Sequence, residues 1–286
     1  MLFADKTSNV VILPTHKSYM DSILVNYIHY HFKLEYPFMC GCESFFSLAM
    51  ISVFMKYTNG FYLNKNHMKN DLYKSVVDSY VWALLKHNCL LEVFMENTRS
   101  RTGKINSPSD ELFGRVVKLY LDSPEKKDLK LVPLTINYDR VHDGESFPLE
   151  LLGESPQRNN IHKILQHLIA INKPLGRVMI KYCEPLSIKD YIDSHAKKNG
   201  IAVSAYGKDE AATKKLIDDL GQEISLIQGE NLVVMSTPLV ATILLMHKKG
   251  ISQDMLIGRV NWLYNEIKAR KGELSLTSAP SSTIIT

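Results

Sequence analysis

The sequence predicts an α/β fold, a mixed sheet flanked by helices, continued by a helical C-terminal extension. Three observations predict it. Short apolar runs of strand length alternate with stretches of helix length over the first two-thirds of the chain. After Pro185 the strand-like runs give way to successive helical patterns. The 286 residues are 45% hydrophobic and 22% charged, a globular mixture that excludes a disordered chain, a collagen-like repeat and a coiled coil.

In chain order, residues 10–13 (VVIL) form the first buried-strand candidate, and a helical stretch covers 21–34. A second strand opens at 37–40, and 44–57 is apolar at helical length. Residues 61–63 make a third strand, before a helix over 71–87 in which Leu72, Val76, Tyr80, Ala83 and Leu84 recur at helical spacing. Residues 91–95, 130–136 and 177–182, rich in Val, Leu and Ile, complete the strands. Helices are expected over 187–196, 209–228, 237–248 and 252–271, with Thr237 as a cap and Pro238 as the first helical position. The Ser/Thr-rich tail reads as disordered. The expected division is a catalytic α/β domain over 1–195, a helical extension over 196–274 and a tail over 275–286.

Lys and Arg total 34 against 30 Asp and Glu, and a net charge of +4 does not describe a nucleic-acid binder. Four cysteines, Cys40, Cys42, Cys89 and Cys183, are too few for a disulfide framework and read as reduced thiols of an intracellular protein. Residues 1–10 lack the apolar core of a secretory signal. The longest apolar runs, 44–55 and 232–246, fall short of the ~18 to 20 residues that cross a bilayer, so no transmembrane helix is expected.

Chemistry concentrates in four segments, three of them at strand ends, where α/β folds gather ligand groups. The first is His16-Lys17-Ser18-Tyr19-Met20-Asp21, after the first strand. On a regular helix a separation of five turns ~500°, so His16 and Asp21 would not share a face. They meet only if His16 lies in the turn before the helix and Asp21 in its first turn. In that geometry Asp21 accepts the proton of one imidazole nitrogen and leaves the other as a general base. A loop histidine beside a helix-capping aspartate has the same spelling, so both readings stand. Ser18 lacks a G-x-S-x-G elbow and reads as a cap.

The second segment, Gly60 to Lys65, ends in a cation that either meets an anion or is solvated. The third places Glu96, Arg99, Ser100, Arg101 and Lys104 directly after an apolar strand, where a guanidinium fork meets a phosphate or merely forms a basic turn. The fourth is Val132-Pro133-Leu134. Neither G-x-x-x-x-G-K-[ST] nor G-x-G-x-x-G occurs. His29 and His31 are two apart and cannot readily share a metal, and Cys40 and Cys42 lack a second cysteine pair. The apolar residues from Phe45 to Met55 surround a helix, which reads as core or as a lipid-facing or acyl-chain surface.

Together, LPTHKSYMD, NGFYL, EVFMENTRSRTGK, LVPLTINYDRV and CEPLSIKDYI, in this order, resemble the glycerol-phosphate and dihydroxyacetone-phosphate O-acyltransferases of the H-x-x-x-x-D group. The resemblance covers residues 10–192 and continues more weakly to 270. It implies an α/β fold and acyl transfer from acyl-CoA to the 1-hydroxyl of a three-carbon phosphate, without an acyl-enzyme. It makes His16 the general base and Asp21 its orienter. It assigns Lys65, Glu96, Arg99 and Ser100 to the acceptor-phosphate pocket, and Val132 and Pro133 to the acyl-CoA side. No metal and no resident cofactor are implied, since acyl-CoA is a co-substrate. The implied partners are acyl-CoA, the phosphate acceptor and a peripheral membrane contact, without nucleic acid.

Three positions depart from the family pattern: Lys17 and Asn64 stand where arginine is usual, and Asn97 stands for the glycine of E-G-T-R-S. Asparagine tolerates a left-handed backbone better than most residues. The stretches SYMD, NKNHMKNDLY, DSYV and LELLG lean towards dihydroxyacetone phosphate, and MSTPLVATILL towards glycerol 3-phosphate. Family members are usually longer, with a helical region before the first motif, so the chain reads as partial. The family suggests a mitochondrial or peroxisomal membrane, although the C-terminus is not an S-K-L address. The competing expectations are a weakly active homologue that binds acyl-CoA or lipid, and a hydrolase using Ser18.

Overall fold

The computed structural model describes residues 8–42, 53, 57–64, 66–100, 102–109, 111–123, 127–142, 144, 148, 152–153 and 175–276. The apolar run around 44–55 lies outside these residues apart from 53, as does the tail beyond 276.

Strand β1 (Asn9–Pro14) is the middle of the architecture. It pairs in parallel with β4 (Leu91–Glu92) on one side and β5 (Leu129–Tyr138) on the other. Beyond β4 lie β2 (Phe38–Cys42) and β3 (Gly60–Leu63), also parallel. Along the outer edge of β5, β6 (Val178–Tyr182) and β7 (Leu186–Ser187) run antiparallel, so the sheet is mixed.

The near-continuous apolar spelling of β1 and β5 follows from burial on both faces. Val10 and Ile12 point to one side with Val132, Leu134 and Ile136, packing on Val25 of α1 (Asp21–His31). Val11 and Leu13 point to the other, under α2 (Asp71–Lys86), α3 (Leu112–Asp122), α4 (Ile188–Asn199) and α5 (Glu210–Glu230). Pro133 sits inside a central strand, where its missing N–H would ordinarily break the ladder. Its carbonyl accepts from Cys183 N at 2.9 Å, so its nitrogen faces the same edge, at the break between β6 and β7.

The helical region continues with α6 (Ser236–Met246) and α7 (Gln253–Ala269). They share a separate cluster of Leu239, Ile243, Leu256 and Val260 beside a small parallel pair, β8 (Val233–Val234) and β9 (Glu273–Leu274). Residue 195 lies within α4, and Leu216, Leu220 and Ile224 of α5 belong to the large core under the main sheet.

Four expectations are corrected. The buried face of α2 is Val77, Val81, Leu84 and Leu85, so of the expected stripe Leu84 is buried, whereas Leu72, Val76, Tyr80 and Ala83 are exposed. Both stripes have helical spacing, and the sheet selects the second. Strand β4 ends at Glu92, although Val93 N still donates to Ile12 O at 2.9 Å. The sequence reading places no helix at α3, yet its Leu112, Phe113, Val116 and Val117 are buried in the core. Helix α6 begins at Ser236, which places Pro238 third rather than first; no N–H is lost there, because the first-turn amides have no intrahelical partner.

One glycine matters to the site. A Cβ at Gly221 of α5 would lie 2.9 Å from Pro108 Cγ, so the helix admits the loop carrying Glu96, Arg99 and Ser100 at close range.

Candidate active site

The loop between β1 and α1 and the loop after β4 meet at the C-terminal ends of the parallel strands. Asp21 occupies the first turn of α1 and is fully buried. Its Oδ2 accepts the backbone N–H of Lys17 at 2.7 Å and of Ser18 at 2.8 Å, and lies 3.3 Å from His16 Nδ1. Its Oδ1 accepts from the Tyr138 hydroxyl. The two backbone donors fold residues 16–18 back over the helix start, which is how a five-residue spacing becomes a contact. A carboxylate only accepts, so Nδ1 carries a proton, and in the neutral ring the lone pair is on Nε2. Nε2 makes no hydrogen bond among the described residues, and the His16 ring packs on Phe94 with centroids 4.6 Å apart.

Ser18 Oγ accepts from Met20 N at 3.2 Å and is buried, making a serine turn ahead of the helix rather than an exposed nucleophile.

Glu96 latches the two loops. Oε1 accepts from His16 N at 2.8 Å and Oε2 from Asn106 N at 2.9 Å. Burial raises its pKa, and the two backbone donors oppose that rise. Ser100 N donates to His16 O at 3.1 Å, which ties Ser100 to the loop that carries the imidazole. Its buried Oγ has no hydrogen-bond partner among the described residues. The Arg99 guanidinium lies 3.8 Å over the Tyr19 ring, and Nη2 donates to Tyr19 Oη at 2.9 Å. Arg99 is buried, so its orientation is set by this aromatic shelf.

The structure therefore brings His16, Asp21, Glu96, Arg99 and Ser100 together. Lys65 and Arg101 lie outside the described residues. Val132 and Pro133 are enclosed in β5, where Val132 packs in the core under α1. Asn64 Oδ1 accepts from Asn66 N and His67 N, closing a turn into a short 3-10 segment. Asn97 is exposed and is not among the residues with positive φ, so the turn needs no left-handed residue there.

Several contacts at this candidate site are not legible in the sequence. Tyr138 and Asn137 reach the site from β5, where Asn137 Oδ1 accepts from Lys17 Nζ at 2.8 Å. Glu92 is completely buried behind Asp21, with Ser22 Oγ donating to its Oε1 at 2.8 Å; desolvation pushes its pKa up to about 7. His29 also joins the network under α1: its Nδ1 lies 2.6 Å from Glu35 O and its Nε2 3.0 Å from Tyr182 Oη. Strand alternation places Tyr138 on the face of Ile136, but only the β1–β5 pairing brings it to Asp21.

Among the described residues no cluster of His, Cys, Asp and Glu could hold a metal ion, and no helix is long and apolar enough to cross a membrane.

Two family models match the chain: Acyltransferase over residues 3–137 and Glycerol-3-phosphate acyltransferase C-terminal region over 149–286. The dihydroxyacetone phosphate acyltransferase of Oryctolagus cuniculus is 26% identical over 93% of this chain and 40% of its own length. The mitochondrial glycerol-3-phosphate acyltransferase 1 of Sus scrofa is 23% identical over 96% of this chain and 38% of its own. The chain thus spans about two-fifths of the length of these relatives. A solved structure, the 1-acyl-sn-glycerophosphate acyltransferase PlsC of Thermotoga maritima, aligns with a TM-score of 0.40 and 16% identity over 79% of this chain and 69% of that one.

Proposed function

We propose that this chain, which belongs to the glycerol-3-phosphate and dihydroxyacetone-phosphate acyltransferases, transfers an acyl group from acyl-CoA to the 1-hydroxyl of a three-carbon phosphate. The observation that carries this reading is His16 with Nδ1 on Asp21 and Nε2 without a hydrogen bond among the described residues, on a loop to which Ser100 and Arg99 are tied through His16 O and Tyr19. An imidazole held this way takes a proton from a hydroxyl as that oxygen becomes a nucleophile. No side chain needs to carry the acyl group, and Ser18 is occupied within its turn.

In this reading Arg99 binds the acceptor phosphate with its guanidinium fork and Ser100 Oγ adds a hydrogen bond. Glu96 shapes the pocket by holding both loops. Lys65 completes the phosphate contacts, and the segment around Val132 and Pro133 backs the acyl-CoA side. Acyl-CoA is a co-substrate and no resident cofactor is required. Holding donor and acceptor together supplies much of the rate.

The acceptor is dihydroxyacetone phosphate, a reading supported by the motif spellings and by the name of the rabbit relative. Glycerol 3-phosphate is the alternative, supported by the pig relative and the C-terminal match. The site works at a membrane surface, mitochondrial or peroxisomal, where its acylated product partitions. Acyl-CoA-dependent release of CoA with each acceptor, and with none, tests the reading. Acceptor-dependent release that His16→Ala abolishes supports it and selects the acceptor. Binding of acyl-CoA without release would instead favour a binding homologue, and release without acceptor a hydrolase.

A further inference from the structure

Lys17 and Asn137 form a polar pair next to His16 that the base and its orienter do not use. Lys17 Nζ crosses from the loop after β1 to donate to Asn137 Oδ1 at 2.8 Å. An ammonium has no acceptor to offer, so the amide oxygen faces the lysine and Nδ2 points elsewhere. Asn137 is only 4% exposed, and its Nδ2 has no hydrogen-bond partner among the described residues. An orphaned buried donor costs free energy unless something fills it.

The ammonium itself has three N–H groups, and Asn137 Oδ1 takes one. The carboxylates that face it are already engaged. Asp21 accepts from Lys17 N, Ser18 N, the His16 ring and Tyr138, and Glu96 accepts from His16 N and Asn106 N. Desolvation lowers the Lys17 pKa, while Asp21 and Glu96 raise it. Among the described residues the cluster is therefore a set of largely desolvated donors, one of them on the residue next to His16.

We infer that Lys17 and Asn137 bind the carbonyl oxygen of the acyl donor and hold the oxyanion that forms on it. This rests on the acyl-transfer reading above. As the acceptor hydroxyl oxygen bonds to the thioester carbon, its proton passes to His16 Nε2 and the carbonyl π pair moves onto oxygen. The Lys17 and Asn137 donors face that new charge. When the pair returns, the C–S bond breaks and the departing sulfur takes the proton from His16, leaving ester and CoA. Donors fixed in place before the charge appears need no reorganisation as it forms, which is why such groups contribute strongly to rate.

Two uncleavable coenzyme A derivatives test the assignment: an S-(2-oxoalkyl)-CoA, which presents a carbonyl, and an S-alkyl-CoA of equal length, which does not. Titration calorimetry on the wild-type chain is expected to favour the ketone by about tenfold. Lys17→Met and Asn137→Ala should each erase that preference. In turnover, Lys17→Met should lower kcat by about 10²–10³-fold with the acceptor KM unchanged. Lys17→Met keeps the length of the stem, so it carries the test if Asn137→Ala proves poorly folded by thermal unfolding.

A wild-type chain indifferent to the carbonyl, or a Lys17→Met variant with full preference and full kcat, overturns the assignment. So does a raised acceptor KM at unchanged kcat, which would give the pair to the acceptor phosphate. Carbonyl preference without transfer to any acceptor would instead overturn the transferase reading and leave the carbonyl site standing.

Discussion

Tyr138 and His16 hold opposite oxygens of one buried carboxylate: the phenol donates to Asp21 Oδ1, and His16 Nδ1 lies 3.3 Å from Oδ2. The aspartate is thereby clamped between β5 and the loop after β1, so the imidazole inherits its orientation from the sheet.

Removing that clamp should loosen the imidazole without removing it. Tyr138→Phe is expected to cost about 1.5–3 kcal/mol of stability, the range for a hydrogen bond to a charged group. It should also lower kcat by roughly tenfold with acceptor KM unchanged. Denaturant unfolding and steady-state kinetics check this, and a fully active, equally stable variant would show that the phenol is dispensable.

Glu96 separates a latch from a ligand. Its two oxygens accept from His16 N and Asn106 N, so Glu96→Gln leaves one of those amides facing a donor. A stability loss of about 1–3 kcal/mol and a reduced kcat are expected, with little change in acceptor KM. A rise confined to acceptor KM would make Glu96 part of the phosphate contact instead.

Glu92 should impose a pH dependence on stability. Its pKa rises from 4.5 to about 7 on folding, chiefly because burial disfavours the charge, with Asp21 adding repulsion. Below pH 4.5 the acid is neutral in both states and its burial is unopposed. Between about 4.5 and 7 the unfolded chain releases the proton while the folded chain keeps it, so stability falls with rising pH by about 3 kcal/mol. Glu92 Oε2 is buried without a hydrogen-bond partner among the described residues, so no donor there offsets the cost of its charge. Glu92→Gln supplies a donor at every pH and should flatten this part of the profile. Equal slopes for variant and wild type in urea unfolding from pH 4 to 8 would refute it.

The two apolar stripes of α2 can be told apart by truncation. Val81 is wholly buried and Val76 is 59% exposed. Val81→Ala should destabilise by about 1–3 kcal/mol and Val76→Ala by less than about 0.5 kcal/mol. Equal effects in thermal unfolding would contradict the observed packing.

Much of the fold was legible because burial on both faces leaves continuous apolar runs: β1 and β5 lie where VVIL and the Val/Leu/Ile stretch after Lys130 place them. Helix α2 was legible as an element but not in its phase, since Leu72, Val76 and Tyr80 repeat as regularly as Val77, Val81 and Leu84. Periodicity names a face, and contact with the sheet chooses it.

His16 and Asp21, and likewise Glu96, Arg99 and Ser100, could be read as candidates because each set lies within a few residues of chain, where spacing and turn geometry are local. By itself the sequence determined the α/β class, the family resemblance and these short constellations. Only the tertiary structure decided that Tyr138 meets Asp21 and that Asn137 meets Lys17. It also decided that Glu92 lies buried behind them. Those contacts join residues 117, 120 and 70 or more positions apart. They exist because β1 runs between β4 and β5, and strand adjacency is set by the packing of the whole core rather than by any local pattern.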